Sequence, residues 1–278
     1  MYKYGIMQGR LTSPKDNRIQ FFPKDEWIEE FGSAAQIGFD CIEWLYDFHD
    51  ADTNPIATNE GIETIKSLMQ HHNVKVNSLC AHCFIEKTLV GASAGEKNEA
   101  LSLLGWLLTR LKMFGATRLV LPVEDAAHLT DNAEFERQLE WMKHALNLAE
   151  KNQIEIDMET TLSPFALACF LEKLPHPLLK VNYDIGNSAG MGYDIKDEFS
   201  AYGHRIGSVH IKDKLLNGPT VALGTGFADF QLLASCLENI NFTGDIVLEA
   251  ARGIPGEELT WAKNNRSLVL KYFLRSGT

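Results

Sequence analysis

Three acidic residues and one histidine occur at the ends of four apolar runs in the second half of the chain. The runs are IEIDMET, LKVNYDIGN, IGSVHIKD and GDIVLEAA, and the residues are Glu159, Asp184, His210 and Glu249. Each run is short and rich in β-branched residues, which is typical of a buried parallel strand. Three carboxylates and one imidazole at a common rim suit one divalent metal ion, namely Mn²⁺, Mg²⁺, Co²⁺ or Zn²⁺. The set contains no thiolate, so a structural zinc site is not expected.

Such a site requires a fold that brings successive strand ends together. Strand-like runs alternate with amphipathic, helix-like runs along the 278 residues. The strands are predicted at 4–7, 41–45, 76–80, 118–122, 155–159, 180–184, 207–211 and 245–249. Several helices are expected to end at a Gly or Asn with left-handed backbone, in IGFD, HNVK, FGATR and NQIE. This pattern predicts an α/β fold, a single-domain (β/α)₈ TIM barrel over residues 1–278, with the four residues at its catalytic mouth. An open doubly wound sheet is the alternative, but GIMQGR is not the Gly-rich phosphate loop that it would need.

Composition and charge disfavour several functional classes. The formal net charge of -11 disfavours binding to nucleic-acid phosphates. The start MYKYGIMQGR has no apolar core typical of a secretory signal, and no run of about 18 apolar residues predicts a membrane span. The five cysteines, an odd number that includes Cys80 and Cys83 in a C-x-x-C, are expected to be reduced thiols. These features predict a cytoplasmic protein.

Six motifs give the chain a family resemblance. They are GFDCIEW, DMETT, DIGN, HIKD, LGTGFADF and VLEAA, and they extend over nearly the whole chain. In order and spacing they resemble the xylose isomerase-like superfamily of TIM barrels, in the branch of sugar and sugar-phosphate isomerases and epimerases. The resemblance implies that Glu159, Asp184, His210 and Glu249 hold one divalent ion. It also implies that Glu159 and Glu249 are the acid/base pair that moves a proton beside a ketose carbonyl, through a metal-stabilised enediolate.

Further residues are candidates for contacting a small carbohydrate substrate: His82, Asn187, Lys212, Asp213, Glu43, Arg10 and Arg252. The resemblance places Lys212 and Asp213 of HIKD near the substrate, and His82 matches a mouth position at the end of the third strand. Glu43 lies nearer the middle of the second strand and is a candidate hydrogen-bonding group inside the mouth. Arg10 and Arg252 follow the first and last strands, which are neighbours in a closed barrel. They could therefore grip a phosphate or carboxylate together.

Three other functions are alternatives to this hypothesis. A metal-dependent dehydratase of a cyclic polyol or shikimate-type acid uses the same ligands, and a non-catalytic sugar-binding barrel would need no acid/base pair. The metal-dependent DNA-repair endonucleases share the fold but use three metals and more histidines. Pro122 and Asn187 stand where two of those histidines would be expected, so we disfavour this third function. A homo-oligomer is compatible with the sequence.

Overall fold

Eight parallel strands follow one another around a closed barrel in the computed structural model, which describes residues 2–15, 18–123 and 132–273. The strands are β1 (Lys3–Met7), β2 (Cys41–Leu45), β3 (Lys75–Cys80), β4 (Arg118–Val123), β5 (Glu155–Thr160), β6 (Leu179–Asp184), β7 (Ile206–Ile211) and β8 (Asp245–Leu248). Pairing of β1 with β8 closes the barrel. The (β/α)₈ prediction is confirmed, and each predicted strand end agrees to within one residue.

Helices connect the strands and cover the outside of the barrel. In the described part of the chain they are α1 (Trp27–Ile37), α2 (Asn59–His72), α3 (Cys83–Glu86), α4 (Ala94–Phe114), α5 (Asn132–Asn152), α6 (Pro164–Lys173), α7 (Ile185–Met191), α8 (Ile195–Tyr202), α9 (Phe230–Asn239) and α10 (Glu258–Phe273). None of these described helices is long and apolar enough to cross a bilayer.

The residues with left-handed backbone after the helices are the predicted ones, with one exception. Gly38, Asn73 and Gly115 adopt positive φ directly after α1, α2 and α4, as the sequence predicts. After α5, however, the residue with positive φ is Gln153, not the asparagine of the NQIE motif. Asn152 instead remains the last helical residue, and its side-chain amide donates to the Leu148 carbonyl.

Two apolar layers hold the barrel together. The larger one lies between the strands and the surrounding helices, and a smaller one fills part of the barrel interior. The inner layer consists of Met7, Leu45, Cys80, Val120 and Val247. Because successive residues of a strand alternate between the two faces, each strand can supply both layers. Cys80 is a free thiol in this layer, and burial raises its pKa well above the usual value, consistent with an unreactive core residue.

A buried charged network closes the amino end of the barrel. Arg118 Nε lies 2.9 Å from Asp157 Oδ2 and 3.1 Å from Glu155 Oε1, and Arg118 Nη1 lies 3.2 Å from Asp245 Oδ2. Asp157 has no solvent exposure and also accepts a hydrogen bond from Ser208. Burial raises the pKa of Asp157, and the adjacent guanidinium opposes that rise. Arg118 is thus the cation that allows three carboxylates to share this end of the barrel.

Replacing Arg118 by Met should destabilise the protein by about 3 to 5 kcal/mol, because it leaves buried carboxylates without their cation. Urea unfolding followed by circular dichroism measures the loss. The exposed Lys143, which pairs with Glu140 on the surface, provides the control Lys143→Met, for which little change is expected. Equal stability of the two variants would contradict the role given to Arg118.

Candidate metal centre

The carboxyl ends of β5 to β8 bring the four predicted ligands together. Glu159, Asp184, His210 and Glu249 each offer one donor atom, and these atoms all lie within 4.8 Å of one another. Asp184 is the last residue of β6, whereas Glu159 and His210 precede the last residues of their strands and Glu249 directly follows β8. The offset of one residue does not separate the side chains. Their donor set of three carboxylates and one imidazole fits one divalent cation.

The orientation of His210 supports this fit. Its ring is wholly buried, and Nε2 donates to Glu43 Oε1 over 2.7 Å. Because a carboxylate accepts hydrogen bonds, Nε2 carries the proton and Nδ1 is the nitrogen that faces the cluster. Nδ1 lies 3.1 Å from Glu249 Oε2 and 3.9 Å from Glu159 Oε2, and it makes no hydrogen bond with the described residues. A buried nitrogen facing two carboxylates in this way suits a metal ligand.

The titration of His210 is governed by the same neighbours. Burial lowers the pKa of the imidazole, but the charge of Glu43 and the contacts with Glu249 outweigh burial and raise that pKa well above its ordinary value. Nδ1 is therefore a position that attracts either a proton or a cation.

Glu43 lies beneath the imidazole, with no solvent exposure. Its other carboxylate oxygen accepts a hydrogen bond of 2.6 Å from Ser78 Oγ. Both oxygens are thus engaged inside the barrel, so the geometry favours Glu43 as a residue that orients His210. A carboxylate behind a ligating histidine fixes the ring and its tautomer in many metal sites.

Glu159 and Glu249 lie in different electrostatic surroundings. Glu159 Oε1 accepts from the Asn187 side-chain amide at 3.2 Å, whereas Glu249 Oε1 accepts from Lys212 Nζ at 2.9 Å. Burial raises the pKa of Glu159 to about 8. Burial acts in the same direction on Glu249, but the charges of Lys212 and His210 outweigh it and bring that pKa well below the ordinary value. The two carboxylates are therefore chemically unlike.

Lys212 and Asn187 also hold Asp184. Lys212 Nζ lies 3.1 Å from Asp184 Oδ2, and the backbone N–H of Asn187 donates to Asp184 Oδ1 at 2.9 Å. The second contact caps the start of α7, so the helix fixes the rotation of the Asp184 carboxylate. Burial lowers the pKa of Lys212, but Asp184 and Glu249 outweigh it and raise that pKa, so the ammonium group stays charged.

Asp213 has a different environment from its neighbour Lys212. Its carboxylate is fully buried and accepts hydrogen bonds from the backbone N–H groups of Gly224, Gly226 and Ala228, at 2.9 to 3.0 Å. These contacts use both carboxylate oxygens to hold the loop that contains LGTGFADF. His82 directly precedes α3, two residues after the end of β3, and is half-buried.

Arg10 and Arg252 do converge, but their common partner is the protein backbone. Both donate to the carbonyl of Ile19 in the first loop, which connects β1 to α1. The Arg252 guanidinium also lies 4.7 Å from the centre of the buried Phe21 ring. Arg10 Nη2 also lies 3.7 Å from Glu249 Oε1. The two arginines therefore hold the first loop against the mouth, and Arg10 connects this loop to the cluster.

Glu30 was not recognised in the sequence as part of this region. It lies on α1, yet it is 1% exposed, and Oε1 accepts from the backbone N–H groups of Gly9 at 2.7 Å and Leu11 at 3.4 Å. It thus holds the turn that carries Arg10. The DEWIEEF segment gave no signal for this role, because an acidic residue on an amphipathic helix is usually exposed.

Comparison with known proteins identifies the family. The model of the xylose isomerase-like TIM barrel family matches residues 31–269, and the chain belongs to this family. A protein of Escherichia coli (strain K12) with the provisional name L-ribulose-5-phosphate 3-epimerase SgbU is 22% identical over 238 residues, which cover 80% of this chain and 83% of that protein.

Solved structures show the same fold. An L-ribulose 3-epimerase has a TM-score of 0.76 at 16% identity, covering 99% of this chain and 95% of its own. The IOLI protein, solved with a zinc atom bound, also has a TM-score of 0.76, at 17% identity, covering 98% of this chain and 99% of its own. The chain is thus similar in architecture to sugar epimerases and to a zinc-binding protein.

Glu43→Gln should weaken the binding of Mn²⁺ by about ten- to a hundredfold. A neutral amide accepts the hydrogen bond from His210 Nε2 less strongly than a carboxylate does, so it orients the ring less firmly. Titration calorimetry measures the affinity. Ser78→Ala removes the other partner of Glu43 and is expected to have a smaller effect. Unchanged affinity in Glu43→Gln would show that Glu43 does not position the histidine.

Proposed function

We propose that this chain is a divalent-metal-dependent isomerase or epimerase that moves a proton at the carbon beside the carbonyl of a ketose or ketose phosphate. The observation that carries the proposal is the convergence of Glu159, Asp184, His210 and Glu249, with His210 Nδ1 directed at two carboxylates. The epimerase names of the relatives and the zinc of the IOLI protein support it.

The four side chains would hold the cation, and the remaining chemistry would belong to the protein. A cation bound there would polarise the substrate carbonyl and thereby acidify the neighbouring C–H bond. Glu159 and Glu249 each direct Oε2 towards His210, so Oε1 is the oxygen of each carboxylate that is left for a substrate proton. One glutamate removes the proton, and the other returns a proton to the opposite face, which inverts the carbon. Return to the neighbouring carbon would give an aldose instead.

Neighbouring donors would keep the two glutamates ready for these steps. The neutral side-chain amide of Asn187 donates a hydrogen bond to Glu159 Oε1, and the charged ammonium group of Lys212 donates one to Glu249 Oε1. As the substrate enters, both donors can transfer to its oxygens without moving far. His82 is the candidate for a further hydroxyl group.

An anion-binding role for Arg10 and Arg252 remains a prediction. It would require a substrate phosphate to replace the Ile19 carbonyl, which both guanidinium groups now contact. Glu43 and Asp213 are fully buried, and we assign them to the orientation of His210 and of the loop at 222–229.

Incubation of the Mn²⁺-loaded protein in D₂O with a panel of ketoses and ketose phosphates should introduce deuterium at the carbon beside the carbonyl. Glu159→Gln and Glu249→Gln should each slow this exchange by about a hundredfold or more, because each removes one proton carrier. NMR and mass spectrometry detect the label. Glu140→Gln, at an exposed position on α5, is the control and should exchange at the normal rate.

The same assay separates the alternatives. Loss of water with formation of an unsaturated product from a cyclic polyol or shikimate-type acid would indicate a dehydratase. If the protein bound metal but catalysed neither deuterium exchange nor dehydration of any substrate, a non-catalytic sugar-binding barrel would be the supported alternative. Near-normal exchange in either glutamate variant would contradict the acid/base assignment.

His210→Ala should lose its divalent ion on dialysis, because it removes the buried nitrogen at the centre of the cluster. Metal content per protein, measured by plasma mass spectrometry, provides the test. His144→Ala, on the exposed surface of α5, should retain the ion. Equal metal content in the two variants would exclude His210 as a ligand.

A further inference from the structure

Lys212 contacts two of the four proposed metal ligands at once. Its Nζ lies 3.1 Å from Asp184 Oδ2 and 2.9 Å from Glu249 Oε1, and the side chain is only 12% exposed. A buried ammonium between two carboxylates contributes to the charge balance of the site before a substrate enters.

The start of helix α7 makes room for this lysine. Lys212 directly follows β7, and its side chain passes over Gly186 at the start of α7. A Cβ at position 186 would lie 2.7 Å from both Cβ and Cγ of Lys212. Because Gly186 of the DIGN motif has no side chain, Lys212 of the HIKD motif can extend past it to the cluster.

Lys212 contacts only one of the two oxygens of each carboxylate. Glu249 Oε1 contacts Lys212, while Oε2 faces His210 Nδ1 at 3.1 Å. Asp184 Oδ1 accepts from the backbone N–H of Asn187, and Oδ2 contacts Lys212. In each of the two carboxylates one oxygen is thus hydrogen-bonded to Lys212, which opposes the binding of a metal ion through both oxygens at once.

We propose that Lys212 determines metal selectivity: by keeping Asp184 and Glu249 monodentate, it favours small divalent cations over Ca²⁺. This inference rests on the metal site of the proposed function. Ca²⁺ takes about six to eight oxygen ligands and commonly binds carboxylates through both oxygens, whereas Zn²⁺ and Mg²⁺ accept fewer protein ligands and shorter bonds. A lysine that is hydrogen-bonded to one oxygen of each carboxylate competes with the two-oxygen binding that Ca²⁺ commonly uses.

The charge of Lys212 acts in addition to this geometric effect. An ammonium group next to the site repels every dication by a similar amount, so its removal strengthens the binding of all of them. That contribution cancels when the affinities of two ions of equal charge are compared. The ratio of Mn²⁺ affinity to Ca²⁺ affinity therefore isolates the effect of coordination number and size.

Titration of Mn²⁺ and of Ca²⁺ into the wild-type protein, Lys212→Met and Lys214→Met tests the inference. Lys214 belongs to the same loop and packs along Gly190, so it provides a matched loss of charge. The Mn²⁺/Ca²⁺ affinity ratio should fall by about tenfold in Lys212→Met, in the range typical of residues that support metal ligands, and should not change in Lys214→Met. The visible absorption of bound Co²⁺ should weaken in Lys212→Met as the coordination number rises.

The outcomes distinguish the two proposals. An unchanged affinity ratio and an unchanged Co²⁺ spectrum in Lys212→Met would overturn the selectivity role while leaving the metal site intact. No binding of any divalent ion by the wild-type protein would instead remove the site itself. Should Lys212→Met fail to fold, as circular dichroism would show, Lys212→Gln replaces it. The glutamine amide cannot contact both carboxylates as the ammonium does, so the same fall in the ratio is expected, and an unchanged ratio again overturns the role.

Discussion

Mutual repulsion among buried carboxylates is the constraint on which this barrel depends. Three carboxylates gather at the amino end of the strands and share Arg118, while three others gather at the carboxyl end beside Lys212 and Arg10. A closed barrel places such groups only a few ångströms apart and removes most of their water. The fold therefore requires a cation at each end.

The two ends meet this requirement differently. At the amino end, one arginine contacts all three carboxylates, so the cation there is part of the protein itself. At the carboxyl end, Lys212 contacts Asp184 and Glu249 but not Glu159, and His210 Nδ1 has no hydrogen bond within the described residues. The metal ion of the proposed function would complete the charge compensation at this end. The difference between the two ends also agrees with the general division of TIM barrels into a stabilising end and a functional end.

The fold was predictable because local pattern and tertiary structure agree in this chain. Short apolar runs mark all eight strands, and the residues at the ends of the last four converge as the barrel topology demands. The partners of individual side chains were not predictable in the same way. Asp213 belongs to a motif near the site, yet the amides of the following loop engage its carboxylate, and those contacts span 11 to 15 residues. The role of Glu30 likewise depends on how α1 packs against the turn after β1. Such contacts have no periodic signal in sequence.

The asymmetry of the two glutamates has a chemical consequence within the proposed reaction. Many members of the superfamily, as the resemblance implies, carry a histidine where this chain has Asn187, and an imidazole can take up a proton whereas an amide cannot. Asn187 can therefore donate to Glu159 in either protonation state, while Lys212 favours the ionised form of Glu249. In the proposed reaction, the carboxylate beside Lys212 is the one kept ionised and free to accept a proton, and the one beside Asn187 is better suited to deliver a proton. The substrate would then lose its proton to Glu249. It would therefore bind in the mouth with the face that carries the acidic C–H bond turned towards Glu249.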